Sequence, residues 1–359
     1  MKRIIVCADG TWNVRDQIND GSKTRRPTNV TKIARAILPT DAYGVTQVVI
    51  YREGVGTGPG LDKLTGGAFG SGIEDNIVSL YRSVLYNYEP DDELFFFGFS
   101  RGAFTVRSLA GFIVHAGLLG KSDDYYTPDF YACYEGGRGP GTPEWTKATH
   151  KLESPRLHPK IKMLGVWDTV GSLGAPGVLG QWMNSNKYQY HKVGLFPDIE
   201  NAFHALAIDE QRKPFVPTLW ESPPGWAGHL EQVWFAGVHC NVGGGYPQDG
   251  LANEAMYWLL GEAAHLGLAV DCSYLAPFAA RFDGTIMDSM DFKYQLMGKV
   301  VRPIGETKNG NEAIHESVVK RLGEPSLKYA AANALAFLKR NGQQPVKTRP
   351  LPCPPVVPS

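Results

Sequence analysis

The sequence has few cysteines, no excess of charge of either sign and no long hydrophobic run. Its five cysteines are scattered, odd in number and without a C-x-x-C pair, so neither a disulfide framework nor a structural zinc site is predicted. The 36 basic residues equal the 36 acidic residues, which argues against a dedicated nucleic-acid binder. These absences leave a globular domain with a local active or binding site as the working prediction.

No stretch approaches the roughly 18 apolar residues of a membrane span. The apolar run that follows Lys2 and Arg3 covers only residues 4–8 and ends at Asp9, which is too short for the core of a signal peptide. We therefore expect no transmembrane segment and no cleavable export signal. The expected location is the cytoplasm, or outside it by a route that needs no signal peptide.

The stretch around Ser100 organises the rest of the chain. Gly98-x-Ser100-x-Gly102 follows a buried-strand run at 93–99 and leads into a segment with apolar residues at helical spacing. The pattern G-x-S-x-G, placed between a strand and a helix, is typical of a nucleophile elbow. Such a short motif often arises by chance, but its strand-turn-helix context favours Ser100 as a nucleophile.

The elements around this motif predict an α/β-hydrolase fold with a mostly parallel, doubly wound sheet and helices on both faces. Strands are expected at 2–8, 46–51, 93–99, 160–167 and 231–236. We predict a single domain over 1–340, with insertions at 119–159 and 172–198. The proline-rich tail, 341–359, is expected to be extended or disordered.

Two more polar residues follow strands that come later in the chain. Asp168 ends the run at 160–167, and His239 stands in a glycine-rich loop after the strand at 231–236. Alone, a strand-terminal aspartate is most often a backbone cap, and a metal role for His239 lacks a second ligand at suitable spacing. Together, the chain order Ser…Asp…His is that of α/β-hydrolases and predicts the triad Ser100, Asp168 and His239.

The turn at 9–13 has two interpretations. It either caps backbone amides through Asp9 and Asn13, or directs the amide of Gly10 or Thr11 into an oxyanion hole. We predict the second, with the amide of Arg101 as the other donor.

Substrate contacts are predicted for Trp12, in that turn, and for Trp182 and Met183. The last two lie in the apolar but aperiodic stretch 172–198, which lines an acyl pocket or simply packs. The glycine-rich run at 54–60 lacks the spacing of a phosphate-binding loop and is interpreted as a flexible loop.

Five blocks of this sequence together resemble a known family. They are Asp9-Gly10-Thr11-Trp12-Asn13, Gly54-Val55-Gly56-Thr57, Gly98-Phe99-Ser100-Arg101-Gly102-Ala103, Gly165-Val166-Trp167-Asp168-Thr169-Val170-Gly171, and Trp234-Phe235-Ala236-Gly237-Val238-His239 through Gly243-Gly244-Gly245-Tyr246. From about residue 2 to 265 the chain is similar to the α/β-hydrolase domain of class 1 type VI secretion phospholipase effectors. It departs from that family at Cys240, where members commonly have a small polar residue, and it has no room for a large membrane-binding module.

The resemblance implies a lipolytic serine hydrolase with Ser100, Asp168 and His239 in the matching positions and with neither metal nor organic cofactor. Its implied partners are an ester or lipid substrate, transient contact with a membrane surface, and a secretion-apparatus or immunity protein. Two alternatives stay open: a general carboxylesterase or polyester hydrolase, and a hydrolase-fold binding protein that has lost catalysis. Labelling of Ser100 by a fluorophosphonate would separate the enzymes from the binding protein.

Overall fold

The computed structural model describes residues 1–10, 13, 25–54, 66–170, 195–342 and 344–353, with only the backbone of 66–71, 293 and 341. Thr11, Trp12, Trp182 and Met183 lie outside the described residues, as does most of the predicted insertion at 172–198.

The described strands and helices alternate from residue 3 to residue 167. The strands are Arg3–Ala8 (β1), Gln47–Arg52 (β2), Glu93–Phe99 (β3), Ile161–Trp167 (β4), Asn201–Ala207 (β5), His229–Phe235 (β6) and Glu312–Ile314 (β7). The helices are Asn29–Ala36 (α1), Gly66–Asn87 (α2), Arg101–Ala116 (α3), Thr127–Glu135 (α4), Pro143–Thr149 (α5), His239–Gly243 (α6), Gly250–His265 (α7), Cys272–Leu275 (α8), Phe292–Met297 (α9), Glu316–Leu322 (α10) and Ala332–Asn341 (α11). Short 3₁₀ turns span Lys121–Tyr126, Lys213–Phe215 and Pro325–Leu327.

The strands form one sheet in the order β2-β1-β3-β4-β5-β6-β7, and each described pairing is parallel. This confirms the predicted fold class. The order of strands changes direction between β1 and β3. The strand that follows β1 in the chain, β2, lies on one side of this pair, and the strand that follows β3, β4, lies on the other. In open parallel sheets, ligands bind in the crevice at the carboxyl ends of the strands at such a point.

Both faces of the central strands are buried, as their continuous apolar runs require. In β3, Leu94 and Phe96 pack on the face covered by α2, α3 and α4, whereas Phe95 and Phe97 pack on the face covered by α1 and α7. All four are fully buried. Because successive side chains of a strand point to opposite faces, one six-residue apolar run serves both layers.

The segment at 119–159, predicted as an insertion, contains two short helices. It forms α4 and α5, and Phe130 and Tyr134 of α4 belong to the same core cluster as α3. These helices are only nine and seven residues long.

The C-terminal part contains two features that the sequence did not predict. The short strand β7 pairs with β6, and Val346 of the tail bridges to His315 directly after β7. Cys272 and Cys353 form a disulfide, a single pairing that the scattered cysteines did not predict. The proline-rich tail is therefore docked on the domain over 344–353.

Candidate active site

Ser100 lies between β3 and α3 in a strained backbone conformation. Its φ is +57°, in a region that residues other than glycine rarely adopt. Its amide donates to the carbonyl of Trp167 at the end of β4, at 3.0 Å. A side chain held this way stands at the carboxyl edge of the sheet, and strain of this kind persists where the surrounding structure over-determines it.

The two glycines of the motif allow the turn to pack this closely. A Cβ atom added at Gly102 would lie 2.1 Å from the carbonyl oxygen of Ala8, and one added at Gly98 would lie 2.5 Å from that of Gly102. Neither backbone oxygen can move without disturbing β1 or α3. The G-x-S-x-G spacing is thus a steric requirement of this turn.

Asp168 and His239 meet beside this turn. Asp168 follows β4 and is fully buried, and its Oδ2 accepts a hydrogen bond from Nδ1 of His239 at 2.6 Å. The ring of His239 packs on Phe99, the residue before Ser100, with centroids 4.6 Å apart. Nε2 of His239 lies on the other side of the imidazole from Asp168.

Arg302 is a member of this site that the sequence did not reveal. It is buried, and its Nη1 and Nη2 donate to Oδ1 and Oδ2 of Asp168 at 2.6 and 3.0 Å. It also donates to the carbonyls of Ala207 and Phe215. A bidentate arginine fixes the plane of a carboxylate, because the planar guanidinium fork matches its two oxygens.

These contacts decide the charge of Asp168. Burial alone would raise its pKa, but the Arg302 guanidinium and the hydrogen bonds from His239 and Arg302 outweigh burial and hold the pKa well below its usual range. The Ala207 amide also donates to Oδ1, at 3.0 Å. Asp168 is therefore ionised at neutral pH despite being fully buried.

His239 is held by its backbone as well as its ring. It begins the short helix α6, where a glycine-rich loop was predicted, and its amide donates to Oε2 of the buried Glu210 at 3.2 Å. Glu210 is in turn paired with Arg212 at 2.8 Å. Burial lowers the pKa of His239, and the neighbouring Asp168 opposes this only in part, so the ring is neutral at pH 7 and can accept a proton.

The other histidines near the sheet have different partners. His204 is buried and accepts a hydrogen bond from the Thr169 amide at 3.1 Å, and burial lowers its pKa to about 3. His229 is half-exposed and pairs with Glu231 at 3.0 Å. Burial raises the pKa of the Cys240 thiol to about 12, so Cys240 carries no thiolate at neutral pH.

The turn after β1 is organised by Asp9. This buried carboxylate accepts hydrogen bonds from the hydroxyls of Thr28, Thr31 and Tyr51 and, at 2.7 Å, from the Gly10 amide. The Gly10 amide therefore points to Asp9, as the capping interpretation predicts for it. Thr11 remains the candidate oxyanion donor of this turn. The Arg101 amide is in the first turn of α3, adjacent to Ser100.

Of the three residues predicted as a triad, Asp168 and His239 are hydrogen-bonded, and Ser100 follows Phe99, whose ring contacts that of His239. Arg302 and Glu210 were not predicted as supporting residues, whereas Asp9 was predicted as a possible cap of backbone amides. Only Asp9 carried a signal, since it ends a strand within a block shared with the family, whereas Arg302 lies 134 positions after its partner. Among the described residues no group of three or more potential ligands is placed to hold a metal ion. None of the described helices is long and apolar enough to cross a bilayer.

Several known proteins are similar to this chain. An uncharacterized protein of Saccharomyces cerevisiae, YEL023C, is 28% identical over 241 residues, covering 60% of this chain and 32% of that protein. A solved structure of the Tle1 effector bound to the VgrG spike from the type 6 secretion system matches at 18% identity and a TM-score of 0.40, covering 69% of this chain and 52% of the other. An uncharacterized protein from Pseudomonas aeruginosa matches at 16% identity and a TM-score of 0.45, covering 79% and 49%.

The chain thus spans about a third of the length of the yeast protein and about half of each solved chain. The family model described as "T6SS, Phospholipase effector Tle1-like, catalytic domain" matches residues 2–262. Because this match covers well over half of the sequence, the chain belongs to the Tle1-like family of type VI secretion system phospholipase effector catalytic domains.

Proposed function

We propose that this protein is a serine hydrolase that cleaves carboxylic esters of lipid-like substrates. The observation that carries the proposal is the 2.6 Å hydrogen bond between His239 and the buried Asp168, on a ring that packs against Phe99 of the Ser100 turn. A nucleophile, a neutral base and an ionised carboxylate that orients the base are the groups that acyl transfer requires.

In the proposed reaction, Ser100 Oγ attacks the ester carbonyl while its proton passes to Nε2 of His239. Asp168 holds Nδ1 and stabilises the imidazolium that forms. His239 then protonates the departing alcohol, and the C–O bond of the ester breaks to leave an acyl group on Ser100. Water, deprotonated by His239, attacks this acyl-enzyme. The bond between the acyl group and Ser100 Oγ breaks, the acid leaves, and His239 returns the proton to Oγ.

The negative charge on the carbonyl oxygen needs backbone donors. We assign the first to the Arg101 amide, since it follows the nucleophile at the start of α3. The second, from the turn after Asp9, is assigned to Thr11 on sequence grounds. Removing one such donor typically slows turnover by roughly a hundred- to a thousandfold.

A lipid or phospholipid substrate is proposed from family membership, because the family's description names phospholipase effectors. The secretion-apparatus or immunity partner stays a prediction from the resemblance. The location, in the cytoplasm or outside it by export without a signal peptide, stays a prediction from the sequence. The Cys272–Cys353 disulfide supports export, since disulfides persist in oxidising compartments.

The proposal is tested first by labelling and then by turnover. A fluorophosphonate probe should label the protein, and Ser100→Ala should abolish both labelling and ester hydrolysis with an unchanged circular dichroism spectrum. Asp168→Asn and His239→Ala should each lower turnover by several orders of magnitude. Because a triad acts as a unit, combining either with Ser100→Ala should cost little more.

A substrate panel of phospholipid, short aryl ester and polyester then separates the lipid esterase from the other ester hydrolases. A preference for the polyester or the aryl ester over phospholipid would reject the lipid assignment. Absence of labelling with an intact fold would favour a hydrolase-fold binding protein.

A further inference from the structure

An exposed apolar surface lies on and after α9. Phe292 and Leu296 are 76% and 75% exposed, and four residues apart on a helix they share one face. Val301, which follows, is 68% exposed. Apart from Met1, only Tyr43 and Tyr125 among the described large apolar side chains are as exposed. We call Phe292, Leu296 and Val301 the apolar rim, and such a cluster in water is typical of a binding surface.

The apolar rim adjoins the candidate active site. Tyr294, on the same helix, contacts Phe215 with ring centroids 5.7 Å apart, and Phe215 contacts His239 at 5.0 Å. The Arg212 guanidinium stacks on Phe215 at 3.5 Å and on Tyr294 at 4.9 Å. One side of α9 therefore packs on residues that surround His239, while Phe292 and Leu296 face solvent.

The charge beside the apolar rim favours an anionic partner. Lys213 and Lys299 are exposed, and neither forms a salt bridge within the described part of the chain. They are adjacent, since Lys299 bridges to Arg212 and the Lys213 amide donates to the Gly298 carbonyl. The acidic side chains of the segment, Asp288 and Asp291, accept hydrogen bonds from the backbone amides of Met290 and Tyr294.

We propose that the apolar rim, with Lys213 and Lys299, docks the protein on an anionic lipid surface. Apolar side chains that enter the boundary between headgroups and acyl chains, next to lysines at the headgroup level, are the usual elements of interfacial binding. Docking through α9 would present the lipid surface to the site of Ser100. The docking itself does not depend on catalysis, but its use in bringing a lipid ester to Ser100 rests on the proposed function.

Vesicle binding tests the docking without turnover. The full chain carrying Ser100→Ala, which leaves lipid intact, is sedimented with vesicles of phosphatidylcholine and phosphatidylglycerol or of phosphatidylcholine alone. Adding Phe292→Ser and Leu296→Ser should weaken binding by about tenfold or more. Lys213→Gln and Lys299→Gln should each weaken binding to the anionic vesicles by about fivefold and leave the neutral vesicles unaffected.

Matched controls come from the opposite edge of the sheet. Tyr43, 94% exposed, precedes β2, and the exposed Lys160 precedes β4, so both lie at the amino ends of the strands. Tyr43→Ser and Lys160→Gln should leave vesicle binding unchanged. Equal losses in rim and control variants, or no binding of the parent to anionic vesicles, would overturn the proposal.

Turnover of a soluble short-chain ester separates this proposal from the proposed function. With Ser100 intact, the Phe292→Ser, Leu296→Ser double variant should keep soluble-ester turnover and lose turnover on vesicles. If the parent binds vesicles through the rim but hydrolyses no ester, docking stands and the hydrolase proposal fails. If light scattering shows that the double variant changes only self-association, the rim is a contact between copies and lipid docking is rejected.

Discussion

At the residue scale, Asp168 is the centre of the site because it is shared by a base and a permanent cation. His239 bonds one of its oxygens at 2.6 Å, and Arg302 spans both oxygens. Burial lowers the pKa of His239, and the Arg212 guanidinium adds to this effect against the opposing charge of Asp168. The site therefore favours the neutral imidazole, which is the form that can accept a proton.

The pH dependence of turnover tests whether His239 is neutral near pH 7. Only neutral His239 acts as a base, so kcat/KM on a soluble ester should fall as the pH drops through the pKa of His239. Because burial lowers that pKa from its ordinary value of 6.5, we expect the acid midpoint of the profile below pH 6.5. A midpoint at or above 6.5 would contradict the assignment of His239 as a buried neutral base.

Arg302→Gln should move this midpoint to higher pH. Removing the cation leaves the Asp168 charge uncompensated, which stabilises the imidazolium and raises the pKa of His239. Breaking a buried pair also destabilises folding by about 3–5 kcal/mol, so Arg302→Lys, which keeps the charge, is measured beside it and should shift the midpoint less.

Arg349→Gln is the control for loss of a paired arginine. Arg349 forms a salt bridge with Glu262, and neither residue belongs to the candidate active site. A loss of stability in Arg302→Gln without any shift of the pH profile would reduce Arg302 to a purely structural residue.

At the scale of elements, the site depends on how closely β1, β3 and α3 approach one another. β1 and β3 are neighbours at the reversal of strand order, and α3 begins directly beneath Ser100. The close contact of Gly102 with the end of β1 ties the nucleophile turn to the Asp9 turn. The two turns therefore form one packed unit. Hydrogen bonds to Asp9 fix the first turn, and the second contains Ser100 in its strained conformation.

Gly102→Ala should test this unit. The added Cβ would meet the Ala8 carbonyl oxygen at 2.1 Å, a contact that neither backbone can relieve locally. We expect turnover of a soluble ester to fall by at least about a hundredfold, with a lower melting temperature. Gly323→Ala is the matched control, because its Cβ would make only an ordinary 3.4 Å contact with the Val319 carbonyl. Full activity in Gly102→Ala would show that the turn is less constrained than its geometry indicates.

At the scale of the whole molecule, the part of the chain beyond the family match completes the domain. The match ends at residue 262, yet Arg302, β7 and the docked tail all follow it. The Cys272–Cys353 disulfide closes this C-terminal part over a separation of 81 residues. The segment that delivers Arg302 to Asp168 therefore lies within the loop that the disulfide closes.

Cys353→Ser should lower the free energy of unfolding by about 2–4 kcal/mol, because the cross-link restricts the unfolded chain. Thermal unfolding of the variant and the parent, each with and without dithiothreitol, measures this. The reductant should lower the melting temperature of the parent toward that of the variant and leave the variant unchanged. A parent insensitive to the reductant, with a melting temperature equal to that of the variant, would show that the disulfide does not form.

Features that depend on local sequence patterns could be predicted from the sequence alone. The apolar runs that end at Phe99 and Trp167 determined two neighbouring strands, and the glycines around Ser100 determined the turn between strand and helix. The carboxyl ends of parallel strands share one edge of a sheet, so the strand pattern itself predicts that Ser100, Asp168 and His239 lie near one another.

Only the tertiary structure decided how these residues are supported. Arg302 pairs with Asp168 across 134 positions, and Cys353 with Cys272 across 81, and no local period or spacing signals such pairs. The Gly10 amide turned to Asp9 because the hydroxyls that hold this carboxylate come from α1 and β2, which the sequence could not place around it. Local sequence determines which elements form and where they break, whereas the partners of a buried charge depend on which distant segments the packed sheet brings to it.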